Sequence, residues 1–370
     1  MLGGFAMIFA IALFIMVHEA GHFFAAKATD MKATEFFLGF GPKIWSVKRG
    51  ETEYGVKAIP FGGYVRIVGM NPYEDVDPAD FGRTYREKKF WQKSFVVLSG
   101  VALNFLMAYL ILFGLSWALG ISDLTTSIEE VTQTITATDT PSPAIEAGLE
   151  RGDELVAIDG VAIEGWIQAT DLIAARPGET VDVEVLRDGV PLILTADLGE
   201  IDRGNGEIVG FLGIRPMLDH RSIGPFTAAG LAGRQFAFLA EQSVRSIGRL
   251  VSPSSLAELG GALFGQTEIR DEIRPVSPIG LVQLGAQAEQ VGLENLFFIL
   301  ASVNVILGLF NIVPLYPLDG GHFAVALYER ITRREADVRR LAPIAAAVIA
   351  LMLFLGVVAI VLDIANPIAL

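Results

Sequence analysis

The 370 residues contain no cysteine, so neither a disulfide nor a thiolate-bound metal can form. Histidine is scarce, with four in the whole chain. Lysine is missing everywhere except between Lys27 and Lys93, where all eight fall. Charge is absent from long stretches, and charged residues make up 19% of the chain against 52% hydrophobic, with a mean hydropathy of +0.49. A chain this apolar reads as a membrane protein. Its formal net charge of −14 leaves no basic surface for nucleic acid. No internal repeat or low-complexity tract is present.

Four runs are long enough to cross a hydrocarbon core, which takes about 20 residues. They cover residues 3–26, 94–119, 295–318 and 341–362. The first lacks a basic start and is expected to be retained rather than cleaved as a signal peptide. Arg49, Arg66, Arg83 and Arg86 join the lysines after the first run, and Arg330, Arg333, Arg334, Arg339 and Arg340 lie between the last two. The positive-inside rule puts both loops in the cytoplasm and both termini outside. Residues 120–292, with 11 Arg and no Lys against 26 acidic residues, are then expected on the outer side.

The first run carries His18-Glu19-Ala20-Gly21-His22. Residues i and i+4 share a helix face, so His18 and His22 can hold one metal ion, while Glu19 is suited to serve as general base for its water. A chance occurrence of this spacing is common. Inside a spanning segment, however, a central acid costs roughly 2 to 3 kcal/mol, and a purely structural helix gains nothing by burying it with two imidazoles.

Catalytic zinc usually takes a third protein ligand. If the first and third runs point the same way, that ligand belongs at the inner end of the third, where Asn311-Ile-Val-Pro314-Leu-Tyr-Pro317-Leu-Asp319-Gly320-Gly321-His322 lies. The prolines break the helix there and the glycines allow a close turn. Asp319 reads either as the ligand or as an Asp-Gly turn that ends the helix. Asn311, two turns earlier if the helix holds, is either a donor to a scissile carbonyl or an interhelical hydrogen bond; Asn104 reads as packing between helices, and His322 as interfacial or substrate-facing.

On these residues the chain resembles the site-2 proteases, intramembrane zinc metalloproteases, most of all the bacterial regulator-of-sigma-E type. The resemblance rests on His18 to His22, on Asn311-x-x-Pro314 leading to Leu318-Asp319-Gly320, on the order of the four runs, and on Phe37 to Pro42 and Ile59 to Val65. It implies one Zn2+ per chain bound by His18, His22 and Asp319, with Glu19 as the base. Asn311 and Pro314 fall at substrate-binding positions. So do Gly39, Gly41, Gly62 and Gly63, in a membrane-associated β segment at residues 34–68 that pairs with an unwound substrate. A plain structural hairpin is the other reading of that segment. The implied setting is the bacterial inner membrane, with the active site towards the cytoplasm. The implied partners are a single-span substrate such as an anti-sigma factor, an upstream site-1-type protease that trims it, and remnant signal peptides.

Residues 125–198 resemble a PDZ domain, through Pro143 to Asp153, Leu155 to Val161 and the alternating Val181 to Arg187. Such a domain implies a groove for a peptide C-terminus, or a bulky gate. The expected fold is an α-helical polytopic membrane protein of four transmembrane helices, with a membrane-associated β-hairpin or sheet and an inserted extracytoplasmic α+β PDZ domain. Its parts are residues 1–119, the first half of the protease core; 120–220, the PDZ domain; 221–293, an amphipathic helical linker; and 294–370, the second half. The alternative function is an inactive metal-binding adaptor that recruits partners through the PDZ domain. The intact Glu19 speaks against it.

Overall fold

The computed structural model describes all residues except 1, 72–73, 136–139, 203–206, 264–268, 271–272 and 368–370. It forms two compact units, Met1–Ser116 together with Phe226–Leu370, and Trp117–Pro225.

The first unit opens with α1 (Leu2–Ala28). Met7, Ala10, Phe14, His18, Gly21, His22 and Ala25 are buried at spacings of three or four, which makes one stripe of the helix the packed face. Phe5, Phe9 and Phe24 point away and are exposed, as suits a helix whose surroundings are lipid. After a short turn come β1 (Ala33–Arg49) and β2 (Thr52–Ile67). Each is bent, so the pair makes four runs. Residues 33–38 lie between residues 53–56 and residues 63–67, and 43–49 pair with 52–57. Residues 63–67 are thus an edge run. At the turn, Glu51 accepts from Arg83 and Lys27, and these two cations hold its carboxyl down at about 2.

α2 (Phe90–Leu119) follows, with Val96, Gly100, Asn104, Ala108 and Leu112 on one buried stripe. It meets α1 where Gly21 and Gly100 remove the side chains: a Cβ on Gly21 would lie 2.6 Å from the Ser99 carbonyl oxygen.

The second unit contains β3 (Ile121–Val131), β4 (Thr134–Ile135), β5 (Thr140–Pro141), α3 (Pro143–Glu146), β6 (Glu154–Ile158), β7 (Val161–Ala162) and α4 (Trp166–Ala174). It continues through β8 (Thr180–Arg187), β9 (Val190–Asp197), β10 (Gly199–Asp202), β11 (Ile208–Phe211) and β12 (Ile214–Arg221). Its main sheet runs β12-β3-β6-β8-β9, with β7 beside β6, and the pairs within it are antiparallel. Alternation in β8 sends Val181, Val183 and Val185 into a core shared with Leu155, Ile158, Trp166 and Ile173. Ser142 caps α3, and Arg187 grips the buried Asp153 with two 2.8 Å hydrogen bonds.

The chain returns to the first unit through α5 (Pro225–Leu250), α6 (Pro253–Leu263), α7 (Pro278–Val291), α8 (Leu293–Ile312), α9 (Asp319–Thr332) and α10 (Val338–Ala365). α5 packs Ala232 and Leu239 with Ala108 and Leu112 of α2, and Phe236 meets Phe105 edge-on at 5.5 Å. α7 lies on the start of α1 through Gly285 against Gly3, a contact of small residues that lets two backbones approach. Its N-terminus is held by the fully buried Asp363 of α10, which accepts from the Ser277 amide at 2.7 Å and faces Arg274 at 3.4 Å.

Among the described residues, four helices are long and apolar enough to cross a membrane: Gly3–Ala28, Phe90–Leu119, Leu293–Ile312 and Arg339–Ala365. The third is shorter than the uncharged run at 295–318. Pro314 disfavours helix at Val313, which is extended at φ −58° and ψ 130°, so α8 stops at Ile312. Asp319 does not end that helix; it opens the next one.

Candidate metal centre

His18 and His22 stand one turn apart on the buried stripe of α1. Two features of α2 fix their rings. The His22 Nδ1–H donates to the Val96 carbonyl oxygen at 2.8 Å, and since a carbonyl only accepts, the proton must be on Nδ1. The lone pair of His22 then sits on Nε2. The Asn104 amide lies 3.2 Å from His18 Nδ1, which likewise turns Nε2 of that ring inward. Gly100 makes this approach possible, because a Cβ there would lie 2.4 Å from His22 Nε2 and 2.9 Å from His18 Cε1.

Asp319 enters from the other side. The segment between α8 and α9 doubles back so tightly that a Cβ on Gly320 would lie 2.1 Å from the Ile312 carbonyl oxygen, and one on Gly321 2.4 Å from the Tyr316 amide. This brings Asp319 Oδ2 to 3.1 Å from His18 Nε2 and 3.2 Å from His22 Nε2, while the two nitrogens are 3.1 Å apart. Asp319 Oδ2 is buried and, among the described residues, accepts no hydrogen bond. Three electron-pair donors converging on one point, with the carboxylate oxygen left unsatisfied, is an unfavourable arrangement unless a cation sits among them. Zinc fits: bonds of 2.0–2.2 Å in tetrahedral geometry separate ligand atoms by about 3.3 to 3.6 Å, within a few tenths of an ångström of these distances. Among the described residues these three side chains form the group of histidines and carboxylates able to hold a metal.

Glu19 is placed by the β segment. Its Oε2 accepts the Val65 amide at 3.0 Å, from the edge run of β2. Gly63 sits against α1, where an added Cβ would lie 3.3 Å from both Ile15 and Met16. Gly39, Gly41 and Gly62 have φ of 85°, 86° and 108°, at the bends between runs.

Beside the edge run opens a cavity of about 760 Å³, lined by Tyr64 to Ile67, Met70, Asn71, Glu74, Asp75, Tyr316 and His322. That volume suits a bound segment of substrate. His322 stacks obliquely on Tyr316, ring centres 4.8 Å apart.

Asn311 departs from expectation. Its Nδ2 donates to the Leu307 carbonyl oxygen of its own helix at 3.1 Å, and the break after Ile312 means that no single helix carries it and Asp319 towards one cavity. Asn104 also departs: beyond packing, it contacts a predicted ligand. The Val65 amide and the Val96 carbonyl were not anticipated, because main-chain groups leave no mark in a sequence. Asn104 did leave one, as a lone amide in an uncharged run.

Comparison with known proteins gives a consistent result. Residues 6–356 match the model of Peptidase family M50. The chain is 31% identical to the zinc metalloprotease Rip1 of Mycolicibacterium smegmatis and 30% identical to Rip1 of Mycobacterium tuberculosis, each alignment covering 98% of both chains. It is 26% identical to the zinc metalloprotease RasP of Shouchella clausii, over 88% of this chain and 90% of that one. Among solved structures, 25% of the chain aligns with 88% of a PDZ domain of an SdrC-like protein from Listeria monocytogenes, at 22% identity and a TM-score of 0.20.

Proposed function

We propose that this chain, which belongs to peptidase family M50, is a zinc endopeptidase that cuts membrane-spanning segments of single-span proteins. The observation that carries this reading is the meeting of His18, His22 and Asp319 within 3.2 Å, the histidines on a helix apolar enough to span and Asp319 just after another, with Glu19 beside them. When bound by these three residues, zinc supplies Lewis acidity, which lowers the pKa of water and polarises a peptide carbonyl.

The protein's own groups do the rest. Glu19, steadied by the Val65 amide, takes the proton of the attacking water and returns it to the departing amine nitrogen. A helical peptide bond hides its carbonyl in the helix. Apart from the Val65 amide that Glu19 holds, the edge run at residues 63–67 offers an unwound substrate a strand to pair with, next to a cavity of about 760 Å³. Substrate contacts are assigned to Gly39, Gly41, Gly62 and Gly63 in this sheet, and to Asn311 and Pro314 before Asp319. For Asn311 this requires the amide to leave its bond to Leu307.

The setting is the bacterial inner membrane, with both termini and the PDZ domain outside and the metal centre near the cytoplasmic face. The lysines confined to 27–93 and the arginines at 330–340 support this orientation. The substrate class is a pre-trimmed anti-sigma factor or a remnant signal peptide, with an upstream protease acting first. A peptide C-terminus is the ligand assigned to the PDZ groove.

The test compares wild type with Glu19→Gln in detergent, each assayed for zinc and incubated with a pre-trimmed single-span substrate. About one zinc in both, with cutting by the wild type alone and a loss of at least ~100-fold in the variant, is the expected result. Zinc in both and no cutting of a panel of such substrates would favour the adaptor reading.

A further inference from the structure

The fully buried Asn104 has no role in the hydrolysis just described. Its Nδ2 stands 3.2 Å from His18 Nδ1, while its Oδ1 is enclosed and accepts no hydrogen bond among the described residues. For His18 Nε2 to offer a lone pair beside Asp319, the neutral ring must carry its proton on Nδ1. A donor would then face a donor. A half-turn of the amide, whose oxygen and nitrogen are assigned from their partners, removes the clash of donors: Oδ1 accepts the Nδ1 proton, and Nδ2 takes the enclosed place that Oδ1 held.

We propose that Asn104 is a positioning residue that accepts from His18 Nδ1 through Oδ1, and so sets the tautomer and ring angle with which His18 presents Nε2 to the metal. This inference rests on the metal-binding reading of His18, His22 and Asp319. Neighbouring contacts place the helix face that carries it. Two turns separate Asn104 from Val96, whose carbonyl does the same for His22, so one face of α2 orients both rings. Asn304 of α8, also fully buried, donates to the Asn104 backbone oxygen at 3.0 Å and ties that face to the helix leading towards Asp319. Outer partners of this kind raise ligand basicity and hold ring orientation.

The test uses the full chain in detergent as wild type, Asn104→Leu, Asn104→Asp and Asn304→Ala. Zinc affinity is read by competition with a chromophoric chelator, and ligand geometry by the visible absorption of the cobalt-loaded protein. Leucine fills the space without an acceptor and should weaken zinc roughly 10- to 100-fold, with shifted cobalt bands. Aspartate restores the acceptor and should return affinity to within about 3-fold of wild type, and the bands with it. Asn304→Ala loosens the same helix contact without touching a ring and should keep the wild-type spectrum. Wild-type affinity in Asn104→Leu, or Asn104→Asp as weak as Asn104→Leu, would overturn the proposal. So would equal weakening in Asn104→Leu and Asn304→Ala with unshifted bands, since that is packing alone. A wild type that binds no zinc at all would sink the metal-binding reading and this inference together.

Discussion

At position 100 the absence of a side chain decides whether α2 can reach the histidines. A methyl group there would lie 2.4 Å from His22 Nε2, so Gly100→Ala is expected to weaken zinc by at least roughly 100-fold. Gly114→Ala is its control, because nothing lies within 4 Å of that position and the same helix gains the same methyl. Zinc titration of the two proteins checks the contrast; equal affinities would mean that α1 and α2 stand farther apart than described. The residues of the proposed metal centre were legible because their types and spacing are restricted: His18 and His22 follow the turn of a helix with Glu19 between them, and Asp319 lies among the prolines and glycines that a reversal requires. Their supports were less so. An asparagine in a spanning segment has several uses, and only the position of His18 Nδ1 picks one of them.

Between elements, the link from β2 to α1 bears on Glu19. The edge run is paired to residues 33–38 on one side, and from its other side the Val65 amide reaches Glu19. Amide directions alternate along a strand, so the base is steadied by register and not by any particular side chain. Val65→Pro deletes this amide without taking a bond from the sheet, and proline is tolerated at a sheet edge. It should keep its zinc and lose roughly 100-fold in kcat, whereas Val65→Ala should cut at nearly the wild-type rate. Proteolysis and zinc content measured together would tell the two apart; an active Val65→Pro removes the amide from the account. The sequence announced a glycine-punctuated β segment here, but not its four-run form, since bends at Gly39, Gly41 and Gly62 let one strand serve two neighbours. It announced a third apolar run ending near Leu318, whereas Pro314 stops α8 at Ile312: hydropathy continues past the point where backbone geometry does not.

Across the whole molecule, four apolar helices and an inserted unit of mostly antiparallel sheet were both visible in the hydropathy and alternation of the chain, because these patterns reflect burial and solvent. Which way the helices run is a matter of charge. The natural lack of cysteine makes it easy to check: Lys89→Cys and Asp188→Cys each carry a single, exposed thiol. With a membrane-impermeant maleimide on intact cells opened only at the outer membrane, Asp188→Cys should label at once and Lys89→Cys only after lysis. The reverse pattern would invert the orientation. A last consequence concerns time. His18 and Asp319 come from opposite ends of the chain, with the entire second unit between them. As a ribosome makes the protein, the histidines are finished first and wait without their carboxylate until the start of α9 has followed α8. A chain stopped before Asp319 therefore lacks one of the three side chains of the metal centre, and the centre is completed only when synthesis is nearly done.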